Sequence, residues 1–501
     1  MITVQNGVLS PSVSEAVLFP FDDYTIPFTA GLRLHLVPGK RPGQNNPIVV
    51  PIGEPGDPDD HMVRFYGTVI PVDGELRMWY MAQGTRDDPE RDGKQFRVCY
   101  ATSQDGVHWE KPELGLVEYE GSKKNNIVNL REGRRDFACI PIIHDPEDPD
   151  PNRRFKIVFE SWIYSNQFAV ATSPDGLNWT ESPNNPVGPG LEQTGLIRHN
   201  GCYYVNGQGG HHFGSGRVMS TYASYDFETW TEASCLSFRR DAVSPQPMPT
   251  EWNVGEEVHL GAGLWDRGNV ILGVYDIWHG HPSSDRLMVM MDLGLLISHD
   301  ALHFQEPIKD FRFVAAFEEL GELKGKPPTI SHGQGMCNWG DKTLLWYENW
   351  GNPPVQVRLA SWARDRLGYY EPLGKGGGHC LSCALDVSGD VKLSANVDGL
   401  GQHSELRFEL LDEHFHPIDG FSGDAAAVLT ALDTTADGQD IIRVPGDAGA
   451  EESGEVPGLR VPVEWAQGKI PGGKGPVRIK TTFGGVRPED AHLYAMYLES
   501  D

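Results

Sequence analysis

No run of about 18 or more apolar residues occurs in the 501-residue sequence, so no segment has the length to cross a bilayer as a helix. The start, Met1 to Gly7, lacks a basic region followed by an apolar stretch, and no export signal is visible. Cationic clusters are missing too. With 42 Lys and Arg against 70 Asp and Glu, the formal charge of −28 excludes a surface built to displace counterions from nucleic acid. The seven cysteines (Cys99, Cys139, Cys202, Cys235, Cys337, Cys380 and Cys383) are odd in number and scattered, which favours reduced core thiols over a disulfide framework. Cys380-Leu381-Ser382-Cys383 has redox-motif spacing, but no βαβ pattern surrounds it, and it reads as alternation within a strand. Helical periodicity is weak throughout. What remains is a globular chain, expected in the cytoplasm and with no nucleic-acid or membrane partner, whose 39% hydrophobic content suffices for more than one core.

What the sequence does have is a phrase that recurs five times. The copies run Ala101-Thr102-Ser103-Gln104-Asp105-Gly106-Val107-His108-Trp109, Ala171 to Trp179, Ala223 to Trp230, Ile297 to Phe304 and Ala360 to Leu367. Each reads as a strand ending in Ser, a turn built on Asp, and an aromatic or Leu that packs back. A period of roughly 50–75 residues with several short strands per copy is the mark of a propeller, whose single sheets cannot bury both faces alone. Five copies predict five blades.

Within the first copy, Arg64 to Ile70, Glu75 to Met81 and Phe96 to Tyr100 are β-rich runs separated by turn residues. First strands of the later blades are expected near Asp136, Thr194, His259 and Gly333. Beyond about Gly376 the phrase stops, and period-2 runs such as Val391 to Val397 and Glu405 to Leu410 predict a half-buried antiparallel sheet. The expected architecture is therefore all-β: a five-bladed β-propeller over 1–375 followed by a C-terminal β-sandwich over 376–501. A long surface loop is expected from Gly446 to Gly475.

The phrases Arg77-Met78-Trp79-Tyr80, Tyr100 to Pro112 and Gly121-Ser122-Lys123-Lys124-Asn125-Asn126-Ile127-Val128 resemble the five-bladed propeller glycosidases related to glycoside hydrolase families 32 and 43. The resemblance covers essentially the whole chain. It implies a small oligosaccharide substrate, of a furanosyl (fructosyl or arabinosyl) type, and cleavage by paired carboxyl groups.

Glycoside hydrolysis needs one protonated carboxyl as acid and a second as nucleophile or base. Innermost strands line a propeller channel, so their entries are where such groups are sought. Asp57, Asp59, Asp60, His61 and Arg64 stand at the first, Arg135 and Asp136 at the second, Glu192 and Gln193 at the third, Glu256, Glu257 and His259 at the fourth, and His332 and Gln334 at the fifth. Four of the five thus present an acid. By resemblance, Asp60 or Asp59 would be nucleophile or base, Asp136 would fix substrate or tune a pKa, and Glu192 would be the acid. Glu257 competes for that last role, because it shares a strand face with His259. Arg64, Arg135, Gln193, His259, His332 and Gln334 are expected to bind substrate.

A cation is the second reading of the histidines. His259, His332 and the pair His211 and His212, with Glu257 and Gln334, offer N and O ligands, although their spacing matches no metal consensus. No organic cofactor and no catalytic metal are expected; a structural divalent ion in the channel stays open, as does a homo-oligomer. Among the tryptophans Trp265, Trp278, Trp339, Trp346 and Trp350, Trp346 reads as core, and Trp278, at a strand end, as the sugar-stacking platform. The alternatives to a glycosidase are a metal-dependent carbohydrate lyase or hydrolase and a sugar-binding propeller without catalysis.

Overall fold

The computed structural model describes residues 1–8, 11–40, 48–85, 87, 96–209, 217–240, 255–316, 327–350, 354–430, 456–473 and 475–500. Regular structure in these residues is β, with short 3-10 turns and no α-helix, and no helix is long and apolar enough to cross a membrane.

Five antiparallel sheets follow one another along the chain. The first pairs Met62–Val72, Glu75–Gln83 and Arg97–Ser103. In the second, Phe137–Ala138 and Ile142–His144 both pair with Phe155–Ser161, followed by Phe168–Ser173 and Thr180–Glu181. The third runs Glu192–His199, Cys202–Gly209, Val218–Ser224 and Cys235–Phe238. Glu256–Asp266, Ile271–His279 and Met290–Ser298 make the fourth. The fifth runs Ser331–Trp339, Lys342–Glu348 and Val357–Ala363, and takes its outer strand, Ile48–Val50, from ahead of the first sheet.

First strands of successive sheets touch. Ile140 N donates to Tyr66 O at 2.8 Å, Gln193 Nε2 to Cys139 O at 2.9 Å, and Thr194 Oγ1 to Leu260 O at 2.8 Å. His332 N donates to Asp276 Oδ1 on the middle strand of the fourth sheet at 3.0 Å, and Gln334 bridges in parallel to Thr68 of the first sheet. All five first strands line a common cavity of about 480 Å³ at their C-terminal ends, walled by residues such as Ile70, Ile143, Arg198, Trp265 and Met336.

The recurrent phrase has a physical job in four of its copies. Ser103, Ser173, Ser224 and Ser298 each accept, through Oγ, the backbone N–H three residues on. Asp105, Asp175, Asp226 and Asp300 accept the next N–H groups and so pin the turn. The fifth copy differs, because Asp365 is buried and receives Arg267, Asn338 and Tyr497 instead. Turns also tie neighbouring sheets together. Trp79 Nε1 donates to Gly176 O at 2.7 Å and Trp346 Nε1 to Gly106 O at 2.9 Å, so two fully buried indoles each satisfy their one polar atom across a sheet boundary.

The remaining strands form an eight-stranded and a six-stranded sheet around a shared core. Val477–Gly485 and Ser404–Asp412 show the expected alternation of buried and partly exposed residues. Strand pairing nevertheless crosses the expected 375/376 boundary. Ile2–Gln5 pairs with Ala384–Val387, Glu15–Leu18 with His492–Ser500, and Leu32–Leu36 with Gly368–Pro372. In these N-terminal runs Ile2, Val4, Ala16 and Leu18 are buried in one core with the C-terminal strands, while Val17 and Leu36 pack in a second core with strands of the fourth and fifth sheets. Within the expected 446–475 loop, Val461–Val463 is a strand on Val391–Asp398, while 446–455 lies outside the described residues. All seven cysteines are free thiols, and burial pushes Cys380 and Cys383 up to about 12, which keeps both as thiols.

Candidate functional site

At their N-terminal ends the first strands are bent at a common height. Register shifts fall between Arg64 and Thr68, Gln193 and Gly195, His259 and Ala262, and His332 and Met336. The first strand of the second sheet breaks between Ala138 and Ile142, with Cys139 at a φ of 52°. A bulge re-aims the residue beside it, and here it turns four polar side chains toward one place. Close approach of the backbones depends on glycine. A Cβ on Gly263 would stand 2.3 Å from Gly333 O, and one on Gly333 would stand 2.2 Å from Phe65 O.

Asp276, on the middle strand of the fourth sheet, is the buried anchor of this place. It accepts His259 Nδ1 at 2.7 Å, His332 Nδ1 at 2.6 Å and Ser331 Oγ at 2.6 Å. Burial alone would raise its pKa, but the two histidines hold it down to about 2. His332 Nε2 lies 3.2 Å from Thr194 Oγ1, whose own proton is given to Leu260 O. The His332 ring is thus held at both nitrogens, by Asp276 at Nδ1 and by Thr194 at Nε2. Burial pushes His259 down instead. Both Nδ1 atoms are thus committed to one carboxylate. Among the described residues no three His, Cys, Asp or Glu side chains converge as a ligand set, and His211 and His212 lie outside those residues.

Glu348, fully buried at the end of Lys342–Glu348, accepts Phe65 N at 2.5 Å and Arg64 Nη1 at 3.2 Å. Burial lifts its pKa to about 7, against the pull of Arg64 and the Phe65 amide. The Arg64 guanidinium lies 5.0 Å from the Tyr66 ring and 5.9 Å from the Trp350 ring.

Arg217 is the second cationic centre. Its Nε is 3.4 Å from Glu257 Oε2 and its guanidinium is 4.2 Å from the Trp278 ring. Burial lowers its pKa; Glu192 and Glu257 counter this, and Arg286 adds to it. Glu192 is half-buried, and its carboxylate takes no hydrogen bond from a described residue. Gln193 Oε1 and Trp278 Nε1 are buried without a hydrogen-bond partner among the described residues.

Glu192, Glu257, His259, Trp278, His332 and Arg64 thus belong to one connected cluster, together with Tyr66, Arg217, Asp276, Glu348 and Trp350, while Gln193 bonds Cys139 O. The other candidates stand elsewhere. Asp59 is buried under Tyr80 Oη and Lys111 Nζ, both at 2.7 Å. Asp60 pins a loop through Gly56 N and Thr85 N. Arg131 holds Asp136 at 2.6 Å and also binds Glu181. Arg135 faces Asp87 at 3.7 Å. Gln334 links strands through Leu196 N and Ile142 O. Trp278 is no open platform, because it is fully buried beneath Arg217 and beside His259.

Four members of the cluster, Tyr66, Arg217, Asp276 and Glu348, were not candidates on the sequence. Asp276 had a signal: a lone acid inside the apolar run Val270 to Ile277, where an unpaired charge would be costly. Glu348 and Arg217 carried none, since each reads as an ordinary polar residue at a strand end.

No family model matches the chain. Two uncharacterized proteins of Mycobacterium tuberculosis, from strains CDC 1551 and H37Rv, are 28% identical over 160 residues, covering 27% of this chain and 44% of the relative. The chain therefore spans less than half the length of the curated relatives it matches. Solved structures with similar strand layout include a glycosyl hydrolase from Bacteroides ovatus, at a TM-score of 0.43 and 17% identity over 66% of this chain and 95% of that one. A thermostable family-43 glycoside hydrolase gives 0.38 and 12% over 60% and 89%. A protein from the GH130 family of mannoside phosphorylases, which contains glycoside hydrolases that target β-1,2 mannosidic linkages, gives 0.42 and 17% over 66% and 95%. The chemistry of the site rests on its own residues.

Proposed function

We propose that this chain is a glycoside hydrolase, that its five sheets are the blades of a five-bladed propeller, and that the reaction centre lies where Glu192 and Glu257 meet Arg217. One observation carries the reading: Glu257 ion-pairs with the buried Arg217 guanidinium, whose charge Glu192 of the neighbouring first strand also supports, beside aromatic faces and buried polar atoms without a hydrogen-bond partner among the described residues. A polyhydroxylated ligand supplies both donors and acceptors to such atoms, and the apolar face of a sugar suits the rings of Trp350 and Tyr66. Glu192, half-buried and without a side-chain hydrogen bond from a described residue, delivers a proton to the departing glycosidic oxygen as the bond from the anomeric carbon breaks. Glu257, ion-paired with Arg217, either attacks that carbon or takes a proton from the water that does. This reading moves the second carboxylate from the first sheet to the fourth, because Asp59 and Asp60 are engaged in local structure. A furanosyl sugar remains the expected substrate on the resemblance alone.

The test is Glu192→Gln beside Glu257→Gln. On substrates with poor leaving groups, Glu192→Gln should lower kcat by roughly 10²–10⁴, while activated aryl glycosides, which leave without protonation, suffer much less. Glu257→Gln should abolish turnover of both. Equal losses on both substrates in Glu192→Gln would remove that residue from the acid role, and full activity in both variants would overturn the assignment of the site.

A further inference from the structure

The chain as a whole carries a formal charge of −28, yet three guanidinium groups converge on the two tryptophans of the site. Arg217 lies 4.2 Å from the Trp278 ring, Arg286 lies 5.1 Å and Arg64 5.9 Å from the Trp350 ring, and the two indoles are 6.4 Å apart. Two of these cations are answered by carboxylates, Arg64 by Glu348 and Arg217 by Glu257. Arg286, exposed at the start of the short turn Arg286–Met288, forms no ion pair with a described residue. It instead stands over Trp350, whose ring adjoins the Trp278 ring that Arg217 covers. Glu192 and Glu257 weigh against the charge of Arg217, which leaves Arg286 as the cation at this place that no described carboxylate answers.

Hydrogen-bond capacity points the same way. Arg64 Nε and Trp278 Nε1 are buried N–H groups with no hydrogen-bond acceptor among the described residues, and Arg217 Nε has there only its 3.4 Å ion pair with Glu257. A single sugar hydroxyl answers one such donor, whereas an oxyanion accepts several at once and forms the stronger, charge-assisted bonds.

We infer that the substrate bound here is acidic, with an oxyanion, a carboxylate, sulfate or phosphate, seated between Arg217 and Arg286 over the two tryptophans. The inference rests on the proposed site and adds its substrate class. The oxyanion has two sources: a group borne by the sugar itself or a free inorganic anion bound beside a neutral sugar.

Calorimetric titration of the full chain separates them, with glucuronate and galacturonate against glucose and galactose, and with inorganic phosphate and sulfate, for wild type and for Arg286→Gln. Uronates should bind at least about tenfold more tightly than the parent sugars, and Arg286→Gln, an exposed position, should erase that difference while leaving the melting temperature unchanged. Tighter binding of phosphate or sulfate, with neutral sugars then binding better in its presence, would assign the oxyanion to the free ion. Equal binding of charged and neutral sugars with no anion bound, or a discrimination that survives Arg286→Gln, would overturn the inference. Binding is read without turnover. A chain that binds uronates through Arg286 yet cleaves no glycoside would sink the hydrolase reading alone, whereas one that cleaves neutral glycosides regardless of Arg286 would sink only this one.

Discussion

Glu348 and His279 respond to pH through opposite balances of burial and bonding. For Glu348, burial lifts the folded pKa to about 7 from an ordinary 4.5, so between those values the folded state holds a proton that the unfolded state has lost. The contribution of Glu348 to stability is fullest below about 4.5 and is lost as pH rises through about 7. Glu348→Gln removes that decline. The gap between variant and wild type in urea unfolding should therefore shift in the variant's favour across this window and stay flat above it. His279 bonds Glu256 at 3.1 Å and Asp292 at 3.2 Å; burial opposes its charge, but these carboxylates raise its pKa to about 9. Its contribution is full below about 6.5 and lost as pH rises through about 9, so His279→Gln should destabilise most near pH 6 and leave no difference above pH 10 or so. A pH-independent deficit in His279→Gln would mean that packing, not charge, is its role. Neither environment was legible in the sequence, because a pKa depends on partners that strand pairing brings in, such as Arg64, 284 positions from Glu348, and Asp292, on the strand next to His279.

Between residue and molecule, the Ser-Asp turn and the tryptophan that bonds into it are the repeating device. The turn was legible because all of its bonds are local: Ser103, Asp105 and the N–H groups they hold span six residues. Partnership between sheets was not. Trp346 donates to Gly106 O, 240 positions away, and strand Ile48–Val50 completes a sheet whose other members begin at Ser331. The bulges were hidden for the same reason, since they accommodate the backbone of the next first strand. Trp346→Ala should cost about 3–5 kcal/mol through the cavity it leaves. Trp346→Phe should cost distinctly less, because Gly106 O still receives Trp109 Nε1 at 3.0 Å. Urea unfolding at constant m-value measures both. Near-equal costs would mean that the bond across the sheet boundary, and not the indole's bulk, is what the position supplies.

For the whole molecule, the change of texture near Gly376 was visible, but the share of the N-terminus in the C-terminal sheets was not: residues 1–36 alternate no differently from the strands of the five sheets. Ile2, Val4, Ala16 and Leu18 are fully buried in one core with Leu385, Leu393, Met496 and Leu498, while Val17, Phe19 and Phe21 pack with Leu272 and Leu293 of the fourth sheet. A chain ending at residue 375 would keep these N-terminal strands and lose their partners, leaving unpaired strand edges and a contiguous apolar patch of the kind that drives association. The expected outcome is that 1–375 aggregates or binds a hydrophobic dye, whereas co-expression with 376–501 restores a soluble complex of the two pieces. A soluble, monomeric 1–375 that unfolds cooperatively would show that the first 36 residues fold without the C-terminal strands. Because the candidate site lies at the ends of first strands in the five sheets, such a complex should also recover whatever activity Glu192 and Glu257 support, and its loss despite a sound complex would tie the site to an uninterrupted chain.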